Sequence, residues 1–117
     1  MPDRFPDIPI SELKADLFRA LSHPARIRIL EVLADGERSV GDIAPLVGIE
    51  ASHLSQQLGV LRRASLVTTR REGSSVFYAI RDEATVELLA VAKRILINSL
   101  SGSSDLLADL RSAAGDR

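Results

Sequence analysis

Residues 39–64 read SVGDIAPLVGIEASHLSQQLGVLRRA, and their pattern decides the fold. Ser39 followed by Asp42 matches a capping box, so a helix starts just after Ser39. Pro45 is expected within this helix's first turn or so, which makes the helix short, and Gly48 closes it. Ile49-Glu50 lead into a second helix. At 100° per residue, Leu54, Leu58, Leu61 and Ser65 share a narrow arc, which is the core side. Opposite lie Ser52, Gln56, Gly59 and Arg63, flanked by His53 and Val60 on one side and Ser55 on the other. Solvated helix faces are usually rich in Glu and Lys, yet neither occurs between Ala51 and Leu61. Short hydroxyl and amide side chains suit base edges instead, with Gln able to pair bidentately with adenine. Gly59 leaves no side chain where a backbone would pass close to a duplex. A short helix, a glycine turn and a polar but uncharged second helix make a helix-turn-helix pattern, whose second helix enters the DNA major groove.

A hairpin follows directly. Leu66–Arg71 and Val76–Ile80 are β-rich runs joined by Glu72-Gly73-Ser74-Ser75, a loop of hairpin length containing glycine. Arg70 and Arg71 stand at its mouth, in reach of phosphates or a minor groove if the hairpin is a wing. The combination predicts a mainly α protein with a small β-hairpin, a winged helix-turn-helix.

Upstream, residues 1–10 contain Pro2, Pro6 and Pro9 and read as a flexible arm. Ser11 is the expected N-cap of a first helix reaching about Leu21, with Leu13, Leu17 and Leu21 in one stripe and Ile10, Phe18 and Ala20 beside it. The next helix starts at SHPAR, capped by Ser22 or His23 with Pro24 in the first position, and ends at Asp35-Gly36. Its expected inward residues are Ile27, Leu30, Val32 and Leu33 or Ala34, with Arg26 and Arg28 outward. Arg38-Ser39-Val40 suggests one short strand.

Downstream, Asp82 is the expected cap of a long helix ending near Leu100. Val86, Leu88, Leu89, Val91, Ala92, Ile95, Leu96, Ile97 and Leu100 cover more than half its circumference, more than one small domain can bury. The reading is a homodimer formed through Leu13 and Leu17 of the first helix and Leu89, Ala92, Leu96 and Leu100 of the long one. Residues 11–100 then form the DNA-binding and dimerisation domain. Residues 101–117 form a serine-rich linker (Ser101–Ser104) and a short amphipathic helix with Leu106, Leu107 and Leu110.

Composition sets bounds on function. Hydrophobic residues at 45% and charged residues at 26% are ordinary for a globular chain, and aromatics at 3% leave a core of Leu, Ile, Val and Ala. There is no cysteine, which removes disulfides, thiol switches and cysteine-based metal sites. No apolar run is long enough for a bilayer and the N-terminus lacks a signal-peptide shape, so the expected location is the cytoplasm, without membrane partners. Net charge is −1, but residues 51–81 hold Arg62, Arg63, Arg70, Arg71 and Arg81 against Glu72 alone. Positive charge is thus concentrated where the DNA-binding pattern lies, and a dimer presents it twice.

Three blocks, ALSHPARIRILEVL, SVGDIAPLVGIEASHLSQQLGVLRRASLV and RREGSSVFYAI, resemble in order and spacing the ArsR/SmtB family of winged helix-turn-helix repressors. The resemblance spans Leu13 to Leu100. It implies a homodimer on an imperfect inverted repeat of double-stranded operator DNA. Ala51, Ser52, His53, Ser55 and Gln56 would read bases, and Arg70, Arg71 and Gly73 would form the wing. Arg62 and Arg63 join the arginines that position the duplex through phosphates.

The departures are informative. Members that sense metals through the first helix of the motif carry cysteines where this chain has Ser39 and Gly41. Members that sense through the dimer helix carry an acid and histidines at positions matching Asp82, Ala84, Ile95 and Asn98, of which only the acid is present. His23 and His53 are the only imidazoles: His23 reads as a cap or packing residue, and His53 as a DNA-facing flank. No metal site and no cofactor is expected, and the effector, a small molecule or a protein, stays unidentified. An enzyme is not expected, because no nucleophile–base set or phosphate loop is present. The competing reading is a winged-helix module for protein–protein contact without DNA binding, which would show an acidic or apolar outer face on the second helix.

Overall fold

The computed structural model describes residues 9–100 and 104–115, with side chains described over 9–100 and 108–113. The proline-rich start before Pro9, the break at Ser101–Ser103 and the side chains of Leu106 and Leu107 lie outside the described residues. Two compact units result, one ending at Asp82 and the other starting at Glu83.

The first unit holds four helices and a sheet: α1 (Ile10–Leu21), α2 (Pro24–Leu33), β1 (Arg38–Ser39), α3 (Val40–Val47), α4 (Ala51–Arg63), β2 (Val67–Glu72) and β3 (Ser75–Ile80). Helix α1 begins at Ile10, with Pro9 at the N-cap and no side-chain cap, so Ser11 lies inside the helix rather than capping it. The fixed φ of Pro9 suits an entry residue, and its carbonyl accepts from Glu12 and Leu13.

At the start of α2 the cap is His23, not Ser22. Its Nδ1 accepts from the Ala25 N–H at 3.1 Å, and Pro24 occupies the first turn. Ser22 Oγ instead donates to the Arg19 carbonyl at 2.7 Å, closing α1. Helix α2 packs against α1, α3, α4 and β3. This is why its periodicity misleads: Ile29 is fully buried beside Leu30 and Leu33, whereas Ile27 and Val32 are only half-buried.

Ile29, Leu30, Ile43, Leu54, Leu58, Leu61 and Val67 form the dry centre of the unit. Each such side chain contributes roughly 1.5–3 kcal/mol by leaving water, and together they hold α4 against α2 and β2. Ser65, expected on this core side, is exposed and lies beyond the helix end with φ 61. The Leu66 N–H bonds the Leu61 carbonyl and the Ser65 N–H bonds the Arg62 carbonyl, both at 3.0 Å. This double closure is a Schellman motif, with Ser65 in the left-handed position glycine usually fills and buried Leu66 following.

The sheet has the order β1-β3-β2, all antiparallel. Arg38 pairs with Tyr78 and Ser39 with Phe77, so the short strand anticipated before α3 is the sheet's outer edge. Glu72 pairs with Ser75, which shortens the expected four-residue loop to a two-residue turn, Gly73-Ser74. Gly73 has φ 62, a conformation that an L side chain adopts only with strain.

The second unit comprises α5 (Ala84–Ser99) and α6 (Ser104–Gly115). The α5 N-cap position is Glu83, so Asp82 stands one residue ahead of it. Of the large apolar residues along α5, Val91, Ile95 and Leu96 are exposed, the last two by 59% and 50%, so much apolar surface of this helix is left uncovered in the single chain.

Candidate nucleic-acid interface

Local chemistry fixes where α4 starts. Ser39 Oγ accepts from the Asp42 N–H at 3.2 Å, capping α3. Gly48 ends α3 in the left-handed region at φ 78, its N–H on the Ala44 carbonyl at 2.8 Å. The chain reverses through Ile49 and extended Glu50 into α4.

Leu54, Leu58 and Leu61 turn inward and present the opposite side of α4 to solvent. Ala51, Ser52, Ser55 and Gln56 are all exposed on its first half, the half that meets base edges in helix-turn-helix docking. His53 is half-buried, its ring 5.9 Å from that of His23 in an edge-on arrangement. Arg62 and Arg63 are exposed in the last turn, where positive charge also suits the helix dipole. A Cβ at Gly59 would meet only the Arg63 guanidinium, at 3.2 Å, so glycine here lets Arg63 fold back along the helix.

The two wing arginines differ. Arg71 is exposed and paired with no carboxylate among the described residues. Arg70 donates from Nε and Nη2 to the two Glu37 oxygens, both at 2.8 Å, and from Nη1 to Glu72 at 2.6 Å. Its guanidinium also lies 4.6 Å from the centroid of the Phe77 ring. The hydrogen bonds from Arg70 hold the Glu37 carboxyl below the ordinary carboxylate range, and those to Glu37 and then Glu72 raise the Arg70 guanidinium. Two carboxylates therefore already neutralise this arginine. Glu37, outside the basic segment, is the residue that sequence reasoning missed here.

A second omission lies on the inner flank of α4. Gln57, next to Gln56, is 7% exposed, and its Oε1 accepts from Arg26 Nη1 at 2.7 Å. Arg26, expected to point outward, is half-buried and also donates to the Ala20 carbonyl at 2.6 Å. Neither contact has a local sequence signal.

A cleft of ≈ 290 Å³ lies between the start of α3 and the wing, lined by Ser39, Val40, Gly41, Ser74, Ser75 and Val76. Its donors are hydroxyls and backbone, without thiolate, imidazole or carboxylate, a set that does not suit a soft or borderline metal. Among the described residues, no group of three or more His, Cys, Asp or Glu is placed to hold a metal ion. None of their helices is long and apolar enough to cross a membrane.

Comparison with known proteins agrees with this architecture. The Helix-turn-helix domain family matches residues 21–70. The chain is 52% identical over 104 residues to the HTH-type transcriptional regulator Rv0081 of Mycobacterium tuberculosis, covering 88% of this chain and 91% of the relative. The crystal structure of that protein superposes with a TM-score of 0.74, over 81% of this chain and 96% of the other. The solution structure of a homodimeric winged helix-turn-helix DNA-binding domain from Mycobacterium bovis, a possible ArsR-family regulator, gives 0.71 at 32% identity, over 80% and 86% of the two chains. The chain belongs to the ArsR/SmtB family of winged helix-turn-helix regulators. A third relative, the transcriptional repressor BigR of Xylella fastidiosa, has a TM-score of 0.69 at 38% identity, covering 73% of this chain and 87% of that one. Within this ArsR-type chain, Ser39 and Gly41 line the cleft at the positions that carry cysteines in members sensing metal through α3. A hydroxyl that caps its own helix and a glycine cannot replace two thiolates.

Proposed function

We propose that this chain is a homodimeric, sequence-specific DNA-binding repressor of cytoplasmic location that occupies an inverted-repeat operator. The observation that carries the reading is the exposed, uncharged first half of α4, with Ala51, Ser52, Ser55 and Gln56 on one face. His53 borders that face. In the groove, Gln56 and the two serines hydrogen-bond base edges, and Ala51 offers a methyl group to thymine. Arg62, Arg63 and Arg71 hold the duplex through phosphates, with Gly73 letting the wing turn tightly beside the backbone. Arg70 serves the wing mainly as a structural brace, its charge being engaged by Glu37 and Glu72. The homodimeric M. bovis domain and the named repressor BigR support both the assembly and the direction of regulation.

A second copy docks on the apolar residues of α1 and α5, Leu13 and Leu17 with Leu89, Ala92, Leu96 and Leu100. The exposure of Phe18, Ile95 and Leu96 favours this arrangement, because such residues are costly to leave in water. The donor chemistry at Ser39, Gly41, Asp82, Ala84, Ile95 and Asn98 supports regulation by a signal other than metal at the usual family positions.

The test is fluorescence anisotropy of the full chain on duplexes from upstream of its own gene, with a random duplex as control, at several salt concentrations, with and without a chelator. Tight, sequence-preferring, chelator-insensitive binding is expected. Binding that disappears with chelator overturns the metal-independent reading. Absence of preference, both there and in a genome-wide selection of bound fragments, transfers the chain to the protein-contact alternative.

A further inference from the structure

The reading helix is fastened to the rest of its unit by two polar rungs from one short turn. His23, the cap of α2, has its Nδ1 committed to the Ala25 N–H, which fixes the ring, and that ring stands edge-on to His53. One turn along, Arg26 reaches Gln57 at 2.7 Å. His23 and Arg26 are three apart on α2, and His53 and Gln57 are four apart on α4, so each pair shares a helix face. Arg26 does more than bridge α2 to α4. Its Nε donates to the Ala20 carbonyl at 2.6 Å and its Nη2 to the Arg19 carbonyl at 3.3 Å. These are carbonyls of the last turn of α1, and the Arg19 carbonyl accepts from Ser22 as well. One rigid, forked guanidinium thus ties the last turn of α1 to a buried amide on α4.

The apolar burial of Leu54, Leu58 and Leu61 is non-directional, whereas a hydrogen bond from α4 to a neighbour fixes direction as well as distance. A rotation of about 10° moves a side chain about 5–6 Å from the helix axis by roughly 1 Å. In a dimer that shift displaces one reading face relative to the other, whereas on a lone half-site the whole unit can re-seat and keep its base-edge hydrogen bonds. Gln57 adjoins Gln56 in sequence, and its bond to Arg26 resists this rotation. A buried amide is an unusual choice where leucine fills similar space. The partner it requires, Arg26, is the same group that holds α1.

We infer that Arg26 and Gln57 are positioning residues that fix the pose of the reading helix relative to α1, and thereby the operator spacing a dimer accepts. The inference rests on the DNA-binding reading above and on α1 facing the second copy. With α1 seated against its partner, the direction of α4 from α1 sets the separation and phase of the two reading helices. Each base pair added between half-sites displaces the second half-site by about 3.4 Å and rotates it by about 34°. A braced α4 discriminates among such spacings, whereas a loosened one tolerates several.

The experiment uses the full chain and an inverted repeat selected by the wild type from a random library. The spacer is varied in single base-pair steps, and a duplex bearing one half-site is included. Wild type is expected to prefer its selected spacing by on the order of tenfold over either neighbour, a difference of about 1.4 kcal/mol. Gln57→Leu reduces that preference to about twofold and leaves half-site affinity within about twofold, because base readers and phosphate contacts are intact. Gln57→Glu restores the preference, its carboxylate accepting from the same guanidinium. Full wild-type preference in Gln57→Leu overturns the inference. So does an equal loss at every spacing and on the half-site in step with a lowered melting temperature, the behaviour of a merely structural residue. If Gln57→Leu does not fold, Arg26→Lys is read in the same way, since an ammonium lacks the fork that spans both acceptors. Unaltered preference there overturns the inference too. A wild type that selects no inverted repeat overturns the inverted-repeat reading and this inference together, whereas an unaffected variant beside a selective wild type overturns this inference alone.

Discussion

Glu37 and Arg70 join the two outer edges of the wing sheet across its central strand. Arg70 stands on β2, passes over Phe77 of β3, and meets both oxygens of Glu37, which precedes β1, at 2.8 Å. A guanidinium in two ion pairs contributes little net charge to a passing phosphate, whereas exposed Arg71 contributes fully. Arg70→Ala is therefore expected to change the salt dependence of DNA binding little, while Arg71→Ala flattens its log–log slope by about 1. Anisotropy titrations between low and moderate salt measure both. Equal slopes for the two variants would show that Arg70 leaves its carboxylates when DNA arrives.

The same pair has a pH signature. The hydrogen bonds from Arg70 lower the Glu37 pKa in the folded chain below its ordinary value of about 4.5. A depressed carboxyl adds stability that is fully present above the unfolded-state pKa and is lost as pH falls through the folded-state value. Glu37→Gln removes this contribution. Wild type should melt above the variant near neutral pH, and the gap should narrow as the medium becomes more acidic than about 4.5. Because both side chains are partly exposed, the gap is small and shrinks further in high salt. A gap that widens on acidification contradicts the assignment.

Gln56 is the longest uncharged polar side chain on the exposed face of α4. Its loss should be felt at one base position rather than over the whole duplex. Gln56→Ala is expected to cost about 1–3 kcal/mol on the selected operator and to relax preference at that position, with random DNA bound as before. Competition against singly substituted operators checks this. Equal losses on specific and random DNA would remove Gln56 from the readers.

How legible each feature was depends on how local its cause is. Ser39, Gly48 and the spacing of Leu54, Leu58 and Leu61 announce α3, the turn and the inward side of α4, because caps and periodicity act within a few residues. The fold followed from them. Ile29 escaped because α2 is contacted on several sides, so no single stripe marks its core. Ser65 continued the Leu54–Leu61 arc on paper, but α4 had already ended at Arg63. Arg26 and Gln57 were illegible for another reason: a polar residue reads as outward unless its partner is known. Here the partners lie 31 positions apart. Glu37 and Arg70, 33 apart, are the same case at the wing. Periodicity assigns faces; it does not reveal which polar groups are already engaged.

Ser65 offers a stability test independent of DNA. Its φ of 61 places a Cβ in the left-handed region, which costs an ordinary residue about 1–2 kcal/mol. Ser65→Gly removes that strain and gives back part of it as unfolded-state entropy. The expected net gain is about 0.5–1 kcal/mol in chemical denaturation, with an unchanged m-value. Ser65→Val should lose stability, since β-branching is poorly tolerated at positive φ. Loss of stability in Ser65→Gly would mean that the Ser65 side chain itself supports the helix end.

Leu96 tests the assembly on which operator recognition depends. It is 50% exposed on α5, beside Ile95 at 59% and one turn or so from Val91 at 37%, so exposed apolar groups cluster on this helix. If a second copy covers them, a carboxylate at position 96 must be desolvated without a partner, which costs several kcal/mol. Leu96→Glu should raise the dimer dissociation constant by on the order of a hundredfold or more. Sedimentation velocity over a concentration series measures this, with Ser52→Ala on the reading face as a control expected to leave the dimer intact. Operator affinity of Leu96→Glu should fall in parallel, because a monomer makes only one half-site's contacts, while its melting under dilute conditions stays near that of the dissociated wild type. A dimer undisturbed by Leu96→Glu would move the interface away from this face of α5 and leave Ile95 and Leu96 free for some other partner.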